Sequence, residues 1–255
     1  MTLIDLYSLS TVPIEQCANG KVIGSATAFI WNEQDKLYLI TNWHVVTGRN
    51  AQTNELELPV QPEMLRAYFN LSDQSFNKKQ YEIAIRDAAH KPTWLVYPGH
   101  GRGVDVVALP VPLLSKDAVI NTYPINTLSS SQLSVQIGMD VFILGYPFGV
   151  APPGFPVWKR GSVASEPHLV RRGANYLLVD TASRPGMSGA PVIRRSWANH
   201  LLDNGSLIVD QSSATRFIGV YSGRLSTKNE SDAQIGMVWP ETFIRDIIAG
   251  GKVDD

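Results

Sequence analysis

The chain has 255 residues, 44% of them hydrophobic and 18% charged, with 22 basic against 23 acidic side chains. This balance provides no electrostatic attraction for nucleic acid or an anionic membrane surface, so we expect neither as a partner. The single cysteine, Cys17, excludes an intramolecular disulfide, and without a secretory signal or a membrane-spanning apolar run we expect a cytoplasmic protein.

Short apolar runs rich in β-branched and aromatic residues recur along the chain between clusters of Gly, Pro, Asn and Asp, for example KVIGSATAFIW, KLYLITNW, MDVFILGYP and RFIGVYSG. This spacing predicts an all-β sandwich or barrel protein. The stretch 112–134 loses β character, and we divide the chain there into domains 1–125 and 126–255. Near the C-terminus, ETFIRDIIAG predicts a helix with Phe243, Ile247 and Ile248 on one face and Gly250 as its stop.

Among the histidines, His44 is distinctive because it ends the strand-like run LYLITNWHVV. A backbone that leaves a sheet can hold an imidazole rigidly at the strand end. We expect the remaining histidines at the surface, namely His90, His100, His168 and His200. No pair of histidines has the spacing of a helical zinc site, so we predict no metal and no cofactor.

Asp105 follows the glycine-rich stretch HGRGVD and opens the apolar run VVALPV. A carboxylate at the entrance to a buried strand is costly unless hydrogen-bond donors surround it. That requirement fits an acid that accepts a hydrogen bond from an imidazole and fixes its tautomer. The alternative is an aspartate that caps its own turn.

Ser188 lies between glycines in SRPGMSGAPVIRR, residues 183–195. Such a serine is often only a turn residue. It is a nucleophile if a base takes its proton and N–H groups face the developing oxyanion, and here His44 and the N–H groups of Gly186 and Ser188 could fill these roles. The chain order His44, Asp105, Ser188 is that of two-barrel serine proteases, and the missing G-x-S-x-G pattern argues against an α/β-hydrolase.

These motifs together resemble the trypsin-like, chymotrypsin-fold serine proteases, and most of all the cysteine-poor bacterial HtrA/Deg branch. TNWHVV is similar to the family's T-x-x-H motif, with Thr41 and His44 in place, and VDVVALPV is similar to its acid strand. PGMSGAP departs from G-x-S-G-G-P by Ala190. The resemblance implies two six-stranded antiparallel β-barrels with a C-terminal helix, an all-β fold, and a His44–Asp105–Ser188 triad. We expect a protease domain without the PDZ module that is common in that branch.

The resemblance also implies a primary specificity pocket. Its floor would be Ala182, six residues before the nucleophile, and its walls would come from Tyr221, Ser222, Gly223 and Gly236. Because Ala182 carries no charge, we expect a preference for a small or medium apolar residue on the amino side of the cut bond. Arg184 is near the pocket in sequence and would favour acidic residues if its side chain turned inward.

Two hypotheses from different functional classes follow. In the first, the chain is a serine endopeptidase, a hydrolase that acts on protein or peptide substrates. In the second, it is a regulatory or binding module on the same barrels, catalytically silent until an activating protein partner engages it. A purely structural β scaffold is a weaker hypothesis, because a scaffold does not need all three triad residues.

Overall fold

The computed structural model describes residues 4–73, 75, 77–128, 132–147, 149, 154–167, 176–182, 184–225 and 234–254. They form a mainly β protein, as predicted. The α-helices are α1 (Leu6–Ser10), α2 (Trp43–Thr47) and α3 (Thr242–Gly250). The strands are β1 (Thr11–Ala18), β2 (Lys21–Glu33), β3 (Lys36–Thr41), β4 (Met64–Asn70), β5 (Lys78–Ala84), β6 (Val107–Pro110), β7 (Asp140–Gly145), β8 (Val157–Val163), β9 (Leu177–Asp180), β10 (Pro191–Ser196), β11 (His200–Leu201), β12 (Leu207–Ile208), β13 (Ala214–Arg224) and β14 (Ile235–Pro240). In this described part of the chain, no helix is long and apolar enough to cross a membrane.

The first six strands form one antiparallel sheet in the order β5-β4-β1-β2-β3-β6. Its inner face buries apolar side chains that include Ile14, Leu39 and Leu65. Regular strand pairing leaves the sheet open between β5 and β6. Isolated β-bridges span this gap. Leu95 pairs with Ala108 of β6, and just before it Pro92 pairs with Arg86, which follows β5.

The later strands form a closed barrel in the order β10-β13-β14-β9-β8-β7, and β11 and β12 make a separate two-stranded sheet. The barrel is filled by branched apolar side chains such as Val141, Val179 and Val238. A six-stranded sheet and a six-stranded barrel with a C-terminal helix confirm the predicted fold class. The strands of the first sheet fall within residues 11–110 and those of the barrel within 140–240, while the domain boundary near residue 125 stays a prediction.

Aromatic side chains join the sheet to the barrel. Phe29 and Trp31 of β2 lie with their ring centroids 5.4 and 6.1 Å from that of Phe217 in β13. All three rings are buried in one cluster with side chains of β6 and α3. Burial of large aromatic surfaces is the main stabilising term at such a contact, so this cluster holds the two halves in a defined arrangement.

Helix α3 packs against the same cluster. Phe243 and Ile247 are buried, as predicted, but the third fully buried position is Ile244, and Ile248 is only half-buried. The stop is Gly251, whose φ of 58° is left-handed and whose N–H bonds to the carbonyl of Ile247. Gly250 is instead the last residue of the helix, and a Cβ there would lie 2.1 Å from Pro98 Cγ.

The segment after α3 contacts the helix that carries His44. Asp254 Oδ2 accepts hydrogen bonds from two indoles, Trp43 Nε1 at 2.7 Å and Trp94 Nε1 at 3.0 Å. Trp43 opens α2 and directly precedes His44. One carboxylate therefore links the end of the chain to the start of α2.

We predict that Asp254→Ala lowers the free energy of unfolding by about 1–3 kcal/mol, because two largely buried indole N–H groups lose their acceptor. Asp254→Asn keeps an oxygen at the same place and should be less destabilising. Urea unfolding followed by tryptophan fluorescence measures both. Equal stability of Asp254→Ala and the wild type would contradict the prediction.

Candidate active site

His44 and Asp105 form a direct pair. Thr41 ends β3, and after Asn42 the chain turns into α2, so His44 lies in the first turn of a five-residue helix. The sequence had predicted a strand end, and the helix begins one residue after Asn42 because Asn42 adopts the extended conformation of a helix N-cap. His44 Nδ1 lies 2.7 Å from Asp105 Oδ2, and the His44 backbone N–H donates to Asp105 Oδ1 at 2.9 Å.

Asp105 is surrounded by donors. Its side chain is buried, and Oδ2 also accepts a hydrogen bond from the hydroxyl of Ser222 in β13. Its main-chain carbonyl accepts one from Asn42 Nδ2 at 2.7 Å. The carboxylate thus bonds to residues 61 and 117 positions away in the sequence. This pattern favours an acid that orients His44 over an aspartate that caps its own turn.

The pKa of His44 reflects this environment. Burial lowers the pKa of the imidazole, but the negative charge of Asp105 and its hydrogen bond outweigh burial, so the pKa lies above its ordinary value of 6.5. The side chain keeps 23% of its exposure. With the Nδ1 proton directed at Asp105, Nε2 is the ring atom that can accept a proton from a reacting group.

Two consecutive tight turns over residues 184–190, together called the Ser188 turn, hold Ser188 at the second position of the later one. The first is closed by a hydrogen bond of 3.2 Å from Met187 N–H to Arg184 O, with Pro185 second and Gly186 third at a φ of 91°. A proline followed by a residue with positive φ defines a type II turn, in which the central peptide has a fixed orientation. The second turn is closed from Ala190 N–H to the carbonyl of Met187 at 3.1 Å. The direction of the Gly186 N–H is therefore set by the turn type.

Strand β13 contacts both parts of the site. The carbonyl of Tyr221 accepts a hydrogen bond of 2.9 Å from the N–H of Gly189, and the next residue, Ser222, donates to Asp105. The Ser188 turn and the acid are thus attached to consecutive residues. Among the described residues, no hydrogen bond joins the Ser188 hydroxyl to the His44 ring.

The Ser188 turn also packs on the first sheet. The N–H of Thr27 donates to the carbonyl of Ser188 at 2.8 Å. Gly189 has a φ of 80°, and a Cβ there would lie 2.1 Å from Thr27 O and 2.3 Å from Thr41 Oγ1, so only glycine fits. Sequence reasoning missed both Thr27 and Asn42. The signal for Thr27 was a lone polar residue between the alanines of KVIGSATAFIW, and that for Asn42 was an asparagine directly before the His44 segment, a residue type that favours helix N-caps.

The residues predicted for the specificity pocket lie in several environments. Ala182 follows β9 and is half-buried, while Arg184 is exposed. Tyr221 is buried, with its ring against Gly236, since a Cβ on Gly236 would lie 2.4 Å from the ring. Ser222 bonds to Asp105, and Gly223 has a φ of 85°. A crevice with no room for a water molecule is lined by Ile143, Lys159, Thr181, Met187 and Tyr221.

The other histidines offer no second site. His90 and His100 are exposed, as predicted. His200 is buried, contrary to prediction, and belongs to the short strand β11, where it pairs with Ile208, rather than to a loop. His168 lies outside the described residues. Within the described ranges, no group of three His, Cys, Asp or Glu side chains is placed to hold a metal ion.

A known family model matches most of the chain. The model of the trypsin-like peptidase domain matches residues 26–198, which include His44, Asp105 and Ser188. The chain belongs to this family. A comparison with curated protein sequences finds no significant match.

Solved structures with a similar fold are HtrA/Deg-type and related serine proteases. The Rv3671c protease of M. tuberculosis in its active form is 20% identical, with a TM-score of 0.53, over 98% of this chain and 83% of that one. The serine endoprotease of Yersinia pestis is 14% identical, with a TM-score of 0.55, over 95% of this chain and 62% of that one. The HtrA-type protease AlgW is 16% identical, with a TM-score of 0.55, over 96% and 62%. At this identity the likeness concerns the fold.

We predict that the His44 imidazole titrates above pH 6.5 and that Asp105→Asn moves its titration below that of the wild type. The charge and the charge-assisted hydrogen bond that raise the pKa are lost, whereas the burial that lowers it remains. Proton–nitrogen NMR of the imidazole measures the shift. Asp246→Asn, at an exposed position on α3, is the control and should leave the titration of His44 in place. An unchanged titration in Asp105→Asn would contradict the assignment.

Proposed function

We propose that the protein is a serine endopeptidase, a hydrolase that cleaves peptide bonds in protein substrates. Ser188 is the nucleophile, His44 Nε2 takes its proton, and Asp105 holds the imidazole and stabilises its charged form. The N–H groups of Gly186 and Ser188 bind the oxyanion of the tetrahedral intermediate. His44 then delivers the proton to the leaving amine.

One observation carries the proposal: the His44–Asp105 pair and the turn of Ser188 are attached to consecutive residues of β13. A buried carboxylate on an imidazole fixes its tautomer and stabilises its charged form, which is what a general base needs in order to activate a nucleophile. The type II turn supports the proposed oxyanion hole, because it fixes the direction of the Gly186 N–H. We also predict a cytoplasmic location, with which the buried, free thiol of Cys17 is compatible.

The partner-activated module is the second candidate. It is favoured by the missing hydrogen bond between the Ser188 hydroxyl and the His44 ring in the described part of the chain. In that case an activating protein would bring the hydroxyl and the imidazole together. Catalytic hydrogen bonds are often long before substrate binds, so the endopeptidase remains our first proposal.

We predict that a fluorophosphonate probe labels the isolated wild-type protein and that Ser188→Ala abolishes both labelling and hydrolysis of fluorescein-casein without loss of thermal stability. Asp105→Asn should reduce turnover by about 10⁴-fold, because the imidazole loses the acceptor that fixes its tautomer. Ser196→Ala, on β10 away from the turn, is the control. Labelling of Ser188→Ala at the wild-type rate would refute the nucleophile, and labelling that requires an added protein would support the second candidate.

For specificity, we propose a short pocket with a mainly apolar lining, in which the Tyr221 ring occupies space that a large substrate side chain would need. Lys159 is the charged side chain on the lining of the crevice. The ring is buried, it lies directly on Gly236, and the remaining crevice is narrow. Ala182 contributes no charge. Arg184 is exposed, so we give it no part in binding the substrate side chain.

We predict that a peptide library is cleaved after small or medium apolar residues, with a preference of about 10- to 200-fold, the range that such pockets achieve. Tyr221→Ala should extend cleavage to aromatic residues, because removal of the ring deepens the pocket. Tyr68→Ala, in β4 of the first sheet, should leave the profile unchanged. Dominant cleavage after Lys or Arg would refute the pocket, and cleavage after Asp or Glu would transfer the role to Arg184.

A further inference from the structure

Thr27 is a buried threonine of β2 whose polar groups all bond outside its own ladder. The pairing of β2 with β3 stops at Phe29, and on the other side Thr27 faces Pro13 of β1, which has no N–H to donate. Its N–H donates to Ser188 O at 2.8 Å, and its carbonyl accepts from Thr41 Oγ1 at 2.9 Å. The N–H of Thr27 therefore binds the Ser188 turn, while its carbonyl is held by Thr41.

The side chain of Thr27 makes a second link to the same turn. Its hydroxyl donates to the carbonyl of Gly186 at 2.7 Å and accepts a hydrogen bond from the N–H of Tyr146 at 3.1 Å. A hydroxyl has one proton, and these two bonds use it as donor and as acceptor in compatible roles. The hydroxyl is thus a fixed bridge between the Ser188 turn and the end of β7.

These bonds restrain the peptide groups that would form the oxyanion hole. Thr27 binds the carbonyls of Gly186 and Ser188, which flank the Met187–Ser188 peptide that carries the Ser188 N–H. The Gly186 N–H belongs to the peptide just before the first restrained carbonyl. Donors to an oxyanion act only if they are aimed in advance at the site where charge develops. The contacts of Thr27, which lies in the first sheet, restrain the peptide groups that carry these donors.

We infer that the Thr27 hydroxyl is a positioning group for the oxyanion hole: it holds the Gly186 carbonyl so that the N–H groups of Gly186 and Ser188 converge. This inference rests on the proposed function. Thr27 touches no reacting atom and acts only through the turn. A role confined to folding would instead lower stability and leave the chemical step unchanged.

Thr27→Val and Thr27→Ser form a matched pair. Valine keeps the branched shape and removes the hydroxyl, whereas serine keeps the hydroxyl and removes a methyl group. We expect Thr27→Val to lower kcat and the rate of fluorophosphonate labelling by about 10- to 100-fold, less than the 10²- to 10³-fold known for loss of an oxyanion donor itself. KM should change little, and Thr27→Ser should retain most of the activity. Thr215→Val, a buried threonine of β13 whose hydroxyl accepts from Arg195, is the control for hydroxyl loss.

A second measurement tests the oxyanion hole separately from substrate binding. In a trialanine aldehyde the Ser188 oxygen adds to the carbonyl carbon, the serine proton passes to His44, and the former carbonyl oxygen becomes the anion in the hole. The matching trialanine alcohol cannot form this adduct. Thr27→Val should weaken inhibition by the aldehyde as much as it lowers kcat, and leave inhibition by the alcohol unchanged.

The outcomes separate the two proposals. If Ser188→Ala is labelled like the wild type, the proposed function fails. If Ser188→Ala is not labelled but Thr27→Val matches the wild type, or if Thr27→Ser loses as much activity as Thr27→Val, only the positioning role is overturned. Should Thr27→Val not fold, Thr27→Ala measured against Thr27→Ser provides the same comparison.

Discussion

The buried charge of Asp105 is the constraint on which the arrangement of the two halves depends. An ionised carboxylate loses most of its hydration when it is buried and is tolerated only where donors replace the water. Here those donors come from His44 in the helix after β3 and from Ser222 in the barrel. A different docking of sheet and barrel would leave the carboxylate without the Ser222 bond. The buried contact between Phe29 and Phe217 is the apolar part of the interface between the sheet and the barrel.

The sequence predicted much of the fold because its strands carry their own signals. Alternating and β-branched runs marked most strands, and the apolar spacing marked α3. The residues at which the helices begin and end could not be predicted as well, because contacts with distant parts of the chain are not visible in a local sequence pattern. Gly251, with its left-handed φ, caps α3, whereas Gly250 is the last helical residue and packs on Pro98 from a distant loop. The short helix that holds His44 likewise begins after Asn42, whose side chain bonds to the distant carbonyl of Asp105.

Sequence reasoning named His44, Asp105 and Ser188 as candidate site residues and missed the residues that contact and support them. His44, Asp105 and Ser188 have side chains whose chemistry is conspicuous at strand ends and in a glycine turn. Thr27 is an ordinary strand residue until the Ser188 turn docks on it. The departure at Ala190 has a physical explanation, because Ala190 does not have a positive φ, whereas Gly189 does. The second glycine of the family pattern is therefore not required by backbone conformation here.

The attachment of both parts of the site to β13 has a mechanical consequence. Tyr221 bonds to the turn and Ser222 bonds to the acid, so a small shift of the strand carries both groups in the same direction. Asp105 in turn bonds both the main-chain nitrogen and a ring nitrogen of His44. A displacement of β13 would therefore reach the imidazole and the Ser188 turn through two adjacent residues.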